Sequence, residues 1–337
     1  MGLYPKTLKD WRSLLDTIDW RRLQREIEQE SSSRLAIIGP VNAGKSTLFN
    51  VLKGRDVSPV SAVPGTTQTL IREQVGPFTL IDTPGFGEAG GTNRGEIASE
   101  GILQADLAIL VLDGAAGLRQ ADIDLFDRVK ATGRPIIVVL NKVDLLGRDV
   151  PSAVADAQRR LGVPVIPISA KKEMNIAERL IPAIIDAYPP VGIVLGRELP
   201  AYRRQAAEQL IRSAAKTNAI IGAEPIPGLD LPLLLATQVR LVLRIAAVYG
   251  EPMSGSHARE LITTMAGGVA LRFLAGEAAK ALPGPGWLIS GGIAAAGTYA
   301  IGQVAMRYFE SGKKLSRREM RSMYKDFVKE QRQQARR

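Results

Sequence analysis

Gly39-Pro40-Val41-Asn42-Ala43-Gly44-Lys45-Ser46-Thr47 fits the spacing G-x-x-x-x-G-K-[ST] at every fixed position. These residue types suit the capture of a polyphosphate. Glycines at 39 and 44 let the backbone curl so that its N–H groups, from Asn42 through Thr47, surround phosphate oxygens. The loop also sits at the positive end of the helix that follows it. Lys45 supplies a cation to the β- and γ-phosphates, and the Ser46 hydroxyl is placed to ligand Mg²⁺.

Three further motifs belong with this loop. Leu80-Ile81-Asp82-Thr83-Pro84-Gly85 offers a carboxylate, Asp82, that can hold Mg²⁺ through water. The same motif offers the Gly85 N–H to a γ-phosphate. In Asn141-Lys142-Val143-Asp144, Asp144 can accept both N1–H and N2–H₂ of guanine, a donor pair that adenine lacks. Asn141 would bond the base edge or brace the loops, and the Lys142 stem would cover the ring. Ser169-Ala170-Lys171 places the Ala170 N–H within reach of guanine O6. N-K-x-D alone is as easily a solvated turn, and S-A-K a helix cap. Their order and spacing together make the argument.

Such residues need strand ends to hold them. Apolar runs predict strands over 34–39, 69–75, 78–82, 107–112, 135–140 and 163–167. Gly76-Pro77 between the second and third forces an antiparallel hairpin. Helical stretches near 119–131, 151–161 and 173–187 supply the crossovers of parallel strands. The expectation is an α/β domain over 34–190 with a six-stranded, mostly parallel sheet, closed by Pro189-Pro190-Val191-Gly192.

On these motifs, residues 34–188 resemble the translation-factor-class GTPases, in the group containing Era, TrmE and EngA. The resemblance implies a Ras-like P-loop fold, Mg²⁺-dependent GTP hydrolysis and alternation between GTP and GDP forms. Pro64-Gly65-Thr66-Thr67 resembles the first switch loop, which makes Thr67 the hydroxyl that meets Mg²⁺, with Thr66 as the alternative. Gln68-Thr69 stands where Arg-Asp is usual in that group. Phe86 follows Gly85 where Ras-type enzymes carry a water-orienting glutamine, so slow intrinsic turnover is expected. Asn42 matches the asparagine of relatives that use K⁺ in place of an arginine finger. It could equally brace the loop.

Residues 6–30 predict two short amphipathic helices, the second capped by Asp19 and carrying Leu23 and Ile27. Residues 1–33 are therefore set apart as an N-terminal segment. Residues 191–312 lack strand alternation and read as an all-α domain, with Arg240 and Arg244 four apart on one helix. Within it, 258–282 and 286–309 form a helix pair joined by Pro283-Gly284-Pro285-Gly286, with no charge from Ala281 to Met306. Nine of the twenty residues 287–306 are Gly or Ala. Two readings stand: a soluble bundle core and a membrane-inserting hairpin. Gly292, Ala296 and Ala300 predict a small-residue ridge for close helix contact. Residues 225–312 resemble the helical domain of YcjF-type bacterial proteins, which implies an inner-membrane link.

The basic tail, 313–337, holds ten Lys/Arg against three Asp/Glu and so supplies +7 of the net charge of +10. Met320, Met323, Tyr324 and Phe327 recur there at helical spacing, suiting an anionic membrane surface, RNA phosphates or simple packing on the bundle. The chain has no cysteine, which excludes disulfides and thiolate metal sites and suits a reducing cytoplasm. Its start shows no apolar signal core. The expectation is a GTP-controlled switch on the cytoplasmic side of the inner membrane. The alternatives are an Era-like RNA or ribosome-assembly GTPase and a self-associating scaffold. No G-x-x-G loop between helices favours RNA binding by a KH module.

Overall fold

The computed structural model describes residues 18–53, 72–75, 77–83, 102–223, 230–251, 261–262, 264 and 286–334. Thr66, Thr67, Gly85, Phe86 and most of the first hairpin helix lie outside them. By its internal contacts the chain divides into two compact units, Ser32–Gln205 and a second formed by Met1–Ser31 with Ala206–Arg337.

The first unit is an α/β layer built on six strands: β1 (Leu35–Pro40), β2 (Arg72–Val75), β3 (Phe78–Thr83), β4 (Leu107–Asp113), β5 (Ile136–Asn141) and β6 (Val165–Pro167). Their order is β2-β3-β1-β4-β5-β6, with β2 antiparallel to β3 and the rest parallel. The run Leu35–Ile38 is wholly buried because helices cover both faces of a parallel sheet. Helix α1 (Trp20–Glu30) precedes the sheet in sequence and α2 (Lys45–Lys53) follows β1. Besides α2, the helices of this unit are α3 (Gln120–Ala131), α4 (Val150–Leu161), α5 (Ile181–Ala187) and α6 (Val191–Glu198), whereas α1 belongs to the second. Leu125, Phe126 and Val129 of α3 and Ala157 and Leu161 of α4 pack on β4 and β5 in one core. On α2, Phe49 meets Phe78 edge-on, with ring centroids 5.7 Å apart. The chain leaves β1 toward β3 on one side and β4 on the other, so β1 is the switch point where α/β sheets bind ligands.

Packing of this unit runs on past Pro189-Pro190 to Gln205: Val191–Gly196 of α6 are buried and Glu198 pairs with Lys53 at the end of α2, 3.4 Å apart. One element differs from the sequence expectation. The segment 173–187 is not one helix. Ser169 bridges Met174, a π-type turn covers Ile176–Leu180, and α5 begins only at Ile181.

The second unit contains α1, α7 (Arg203–Ala223, from Ala206 on), α8 (Asp230–Val248), α9 (Gly286–Glu310) and α10 (Arg317–Gln334). Asp19 caps α1 as expected, its carboxylate accepting from the Arg22 N–H at 2.9 Å. At the other end of α1, Glu30 is buried and meets Arg240 and Arg244 of α8. The facing pair predicted by their spacing therefore has its anion.

Of the predicted ridge on α9, Ala296 and Ala300 are buried but Gly292 is not, and the close contact with α7 runs along a different line. Gly292 is exposed, and a Cβ added there would meet nothing within 4 Å. A Cβ on Gly291 would fall 2.6 Å from the Ala219 carbonyl oxygen, and one on Gly222 would fall 2.6 Å from the Ala294 Cβ. A Cβ on Gly302 would fall 2.6 Å from Ile211 Cγ1. The seam is thus Gly291, Ala294, Thr298 and Gly302, facing α7. Its register is set by hydrogen bonds: Asn218 Nδ2 donates to Thr298 Oγ1 at 2.6 Å, and Thr237 Oγ1 donates to Asn218 Oδ1 at 2.6 Å. Among the described residues no helix is long and apolar enough to cross a membrane.

Candidate functional site

The site forms where the parallel strands end. Gly39 pairs in register with Asp82 of β3, and Asp113 of β4 pairs with Asn141 of β5. Loops leaving β1, β3, β5 and β6 therefore emerge along one edge of the sheet.

The two glycines of the phosphate loop have separate physical reasons. A Cβ on Gly39 would lie 2.1 Å from the Val111 carbonyl oxygen of β4, so no side chain fits beside that strand. Gly44 has φ +90°, and a Cβ there would lie 2.3 Å from Asn141 Nδ2. Asn42 has φ 63°, a left-handed conformation that asparagine tolerates, and it is exposed. The Lys45 ammonium is buried and donates to the carbonyls of Gly39 at 2.9 Å and Pro40 at 2.8 Å, which holds it within the loop's curl. Ala43 is buried, while Ser46 and Thr47 open the first turn of α2.

Asn141 is the member whose role the structure decides. Its side chain, 2% exposed, donates from Nδ2 to the Ala43 carbonyl at 2.8 Å and accepts at Oδ1 from the Ala170 N–H at 2.9 Å. Of the two roles open to it, bracing the loops is the one observed. The Ala170 N–H, expected to face guanine O6, is instead given to Asn141. The reason is that a buried amide must satisfy both its donor and its acceptor. Ser169 is also buried, and its hydroxyl accepts from the Lys172 N–H at 3.1 Å, capping the loop in which Lys171 is exposed. Lys142 has φ 63°, and its ammonium lies 2.6 Å from Asp113 Oδ2. Asp113 Oδ1 also accepts from the Ala115 N–H at 3.0 Å. Asp113 is the site residue that motif reading missed. Its signal was an acid at a strand end before Gly114, on the strand next to the one that carries the phosphate loop. Asp144 sits half-buried in the turn Val143–Leu145, directly after this pinned lysine.

Ser46 and the backbone of Asp82 flank the loop, while Thr67 and Gly85 fall outside the described residues. Among the described residues no group of three or more His, Cys, Asp or Glu could hold a metal alone. A single hydroxyl with one carboxylate suits Mg²⁺, which takes few protein ligands and shares phosphate oxygens and water. The residues present fit that ion.

Residues 34–142 match the family described as "50S ribosome-binding GTPase", and residues 191–337 match "Domain of unknown function (DUF697)". GTPase Der of Desulforudis audaxviator is 33% identical over 207 residues, 59% of this chain and 46% of that protein. GTPase Der of Brucella ovis is 34% identical over 244 residues, 69% of this chain and 47% of that protein. The chain thus spans about half the length of the curated relatives it matches. A solved structure titled a probable GTP-binding protein engB aligns at 29% identity with a TM-score of 0.36, covering 46% of this chain and 98% of that one. The α/β unit is a Ras-like domain of GTPase type, followed by a helical region.

Proposed function

We propose that this chain is a Mg²⁺-dependent GTP-binding and GTP-hydrolysing switch, attached to the bacterial inner membrane on its cytoplasmic side. The observation that carries the nucleotide reading is the Asn141 bridge. One buried amide ties the phosphate loop to the Ser169–Lys171 loop, with Asp144 in the turn between them. Phosphate and base recognition are thereby built as one rigid set before a ligand arrives.

In this reading Lys45 neutralises the β- and γ-phosphates, and the loop amides orient them. Ser46 and Asp82, with Thr67, would hold Mg²⁺, which supplies charge to the developing phosphate oxygens. The N–H of Gly85 would help position the γ-phosphate. Asn42 would help seat K⁺ beside the β/γ bridge. In that case replacing K⁺ by Na⁺ slows hydrolysis while GTP affinity holds, and Asn42→Ala removes the difference. Membrane attachment through 258–309 and the basic tail is supported by the uncharged run Ala281–Met306 and by the exposed cations of α10. A ribosomal RNA partner is favoured by one observation only, the printed description of the family matched at 34–142. Self-association through the helical unit is a third mode of the same switch.

The decisive test is base choice. Asp144→Asn should lower GTP affinity by about 10²–10⁴-fold, from two charge-assisted bonds of roughly 1.5–3 kcal/mol each. It should raise affinity for xanthosine triphosphate, whose 2-oxo group needs a donor. Equal affinity of the parent protein for ATP and GTP by titration calorimetry would overturn the reading.

A further inference from the structure

We propose that Arg318, Lys325 and Lys329 form a docking stripe for the anionic face of a lipid bilayer, and that α10 binds there by charge alone. The proposal rests on the membrane reading above and says which surface makes the contact and how.

The apolar side of α10 is already occupied. Met320, Tyr324 and Val328, four residues apart, are 2%, 2% and 1% exposed, and α10 packs chiefly against α9. Near α9, the Tyr324 hydroxyl lies 3.6 Å from where a Cβ on Gly297 would stand. A membrane-surface helix ordinarily buries its apolar face in the acyl boundary. This one has spent its apolar face on α9, and only Met323 and Phe327 remain half-buried, so insertion along its length is closed to α10.

What remains outside is sorted by charge. With about 100° between successive residues, Arg318, Lys325 and Lys329 fall within about 40° of one line along the helix. All three are exposed. The backbone puts Arg332 near the same line. Glu319, Asp326 and Glu330 fall on a second line about a quarter turn away. Of the acids, Glu330 lies close enough to Tyr299 of α9 to act on its phenol, whose pKa is raised chiefly by burial. On the other flank stand Arg317 and Arg321, the latter donating from Nε to the Thr264 carbonyl at 3.0 Å. The stripe is therefore cationic across its width and free of acids along its line. Its three described cations span about 16 Å, enough to meet several headgroups at once.

Single-stranded RNA is the poorer partner for this surface. Its proteins add base stacking on aromatic rings to phosphate contact. The two aromatics of α10, Tyr324 and Phe327, lie on the packed side, buried and half-buried.

The test uses the full-length protein and co-flotation with phosphatidylcholine vesicles, with and without phosphatidylglycerol. Each cation removed near an anionic surface weakens binding about fivefold. The triple variant Arg318→Gln, Lys325→Gln, Lys329→Gln should therefore bind anionic vesicles about 100-fold more weakly, with GTP affinity and melting temperature unchanged. The difference between parent and variant should vanish near about 1 M salt, where screening reaches about 3 Å. Equal binding by parent and variant would overturn the stripe and leave the membrane reading to the hairpin. No binding of the parent to any vesicle would overturn both. Tighter binding of the parent to duplex RNA than to anionic vesicles, lost in the same variant, would reassign the stripe to nucleic acid.

Discussion

The two units bury polar side chains for opposite ends. In the α/β unit, Lys45, Asn141 and Ser169 are nearly inaccessible and spend their hydrogen bonds on loop backbone, at Gly39, Pro40, Ala43, Ala170 and Lys172. In the helical unit, Glu30, Asn218, Gln238 and Thr298 are equally inaccessible but meet side chains of other helices, the Thr298 hydroxyl also donating to the Ala294 carbonyl of its own helix. The first arrangement fixes loops that a ligand must meet. The second fixes which turn of one helix faces which turn of another. Buried polar groups are costly unless satisfied, so each set marks a place where geometry matters more than apolar burial alone.

The sharpest way to separate these roles is to remove Asn141. Asn141→Ala leaves the Ala43 carbonyl and the Ala170 N–H without their partner, at about 1–3 kcal/mol each. Because both belong to nucleotide loops, GTP affinity should fall by about 10²–10³-fold. Unfolding of the helical unit should not move. A drop in helical-unit stability, read by far-ultraviolet circular dichroism on heating, would show that the division of labour is false.

The reverse experiment starts from Glu30. Burial would by itself raise its carboxyl, but the hydrogen bonds and charge of Arg244, and then of Arg240, outweigh it and hold the pKa below the usual range. The folded state thus binds the proton less readily than the unfolded chain does. The clamp's stabilisation is fully present above the ordinary glutamate value of about 4.3 and is lost as pH falls through the lower folded value. Arg244→Ala strips one partner from a buried anion and should cost about 3 kcal/mol. It should also flatten the acid limb of the stability curve. GTP binding should be unchanged within about twofold, since neither residue touches the loops. An acid limb as steep in Arg244→Ala as in the parent would mean that other carboxylates carry it.

What could be read in the sequence follows the same line. Strand runs such as Ile136–Leu140 and the loop motifs were legible because parallel strands buried on both faces and phosphate loops each demand particular residue types at fixed spacing. Asn141 was legible as a site residue with two open roles, base edge or brace, and the choice waited on the fold because only the fold shows that Gly44 and Ala170 flank it. Asp113 was hidden because a lone acid at a strand end has no pattern. The Arg240–Arg244 spacing was visible, but its partner lies more than two hundred residues earlier in sequence, at Glu30. The Pro189-Pro190 pair marks where the match to the helical region begins, at residue 191, while the packing of the α/β unit continues to Gln205, because a Pro pair signals a break in the chain and not a break in packing. On α9 the difficulty had a different source. With Gly or Ala at nearly half its central positions, several small-residue ridges share the helix, and sequence alone does not say which one faces α7.

That ambiguity supplies the finest test, because Gly291 and Gly292 are neighbours with opposite surroundings. Alanine is preferred over glycine within a helix by about 1 kcal/mol. At Gly292 nothing lies within 4 Å of the added methyl, so Gly292→Ala should stabilise by up to that amount. At Gly291 the methyl would sit 2.6 Å from the Ala219 carbonyl oxygen and 3.3 Å from the Ala223 Cβ. The carbonyl belongs to α7's backbone and cannot rotate away, so the two helices must separate. Overpacking of this kind costs about 1–3 kcal/mol, which exceeds the helix preference. Gly291→Ala should therefore lower the melting temperature while Gly292→Ala raises it, and neither should alter GTP affinity. If the ridge were Gly292, Ala296 and Ala300, the two signs would be exchanged. Thermal unfolding of the two single variants, with GTP titration as control, decides which face of α9 is the seam.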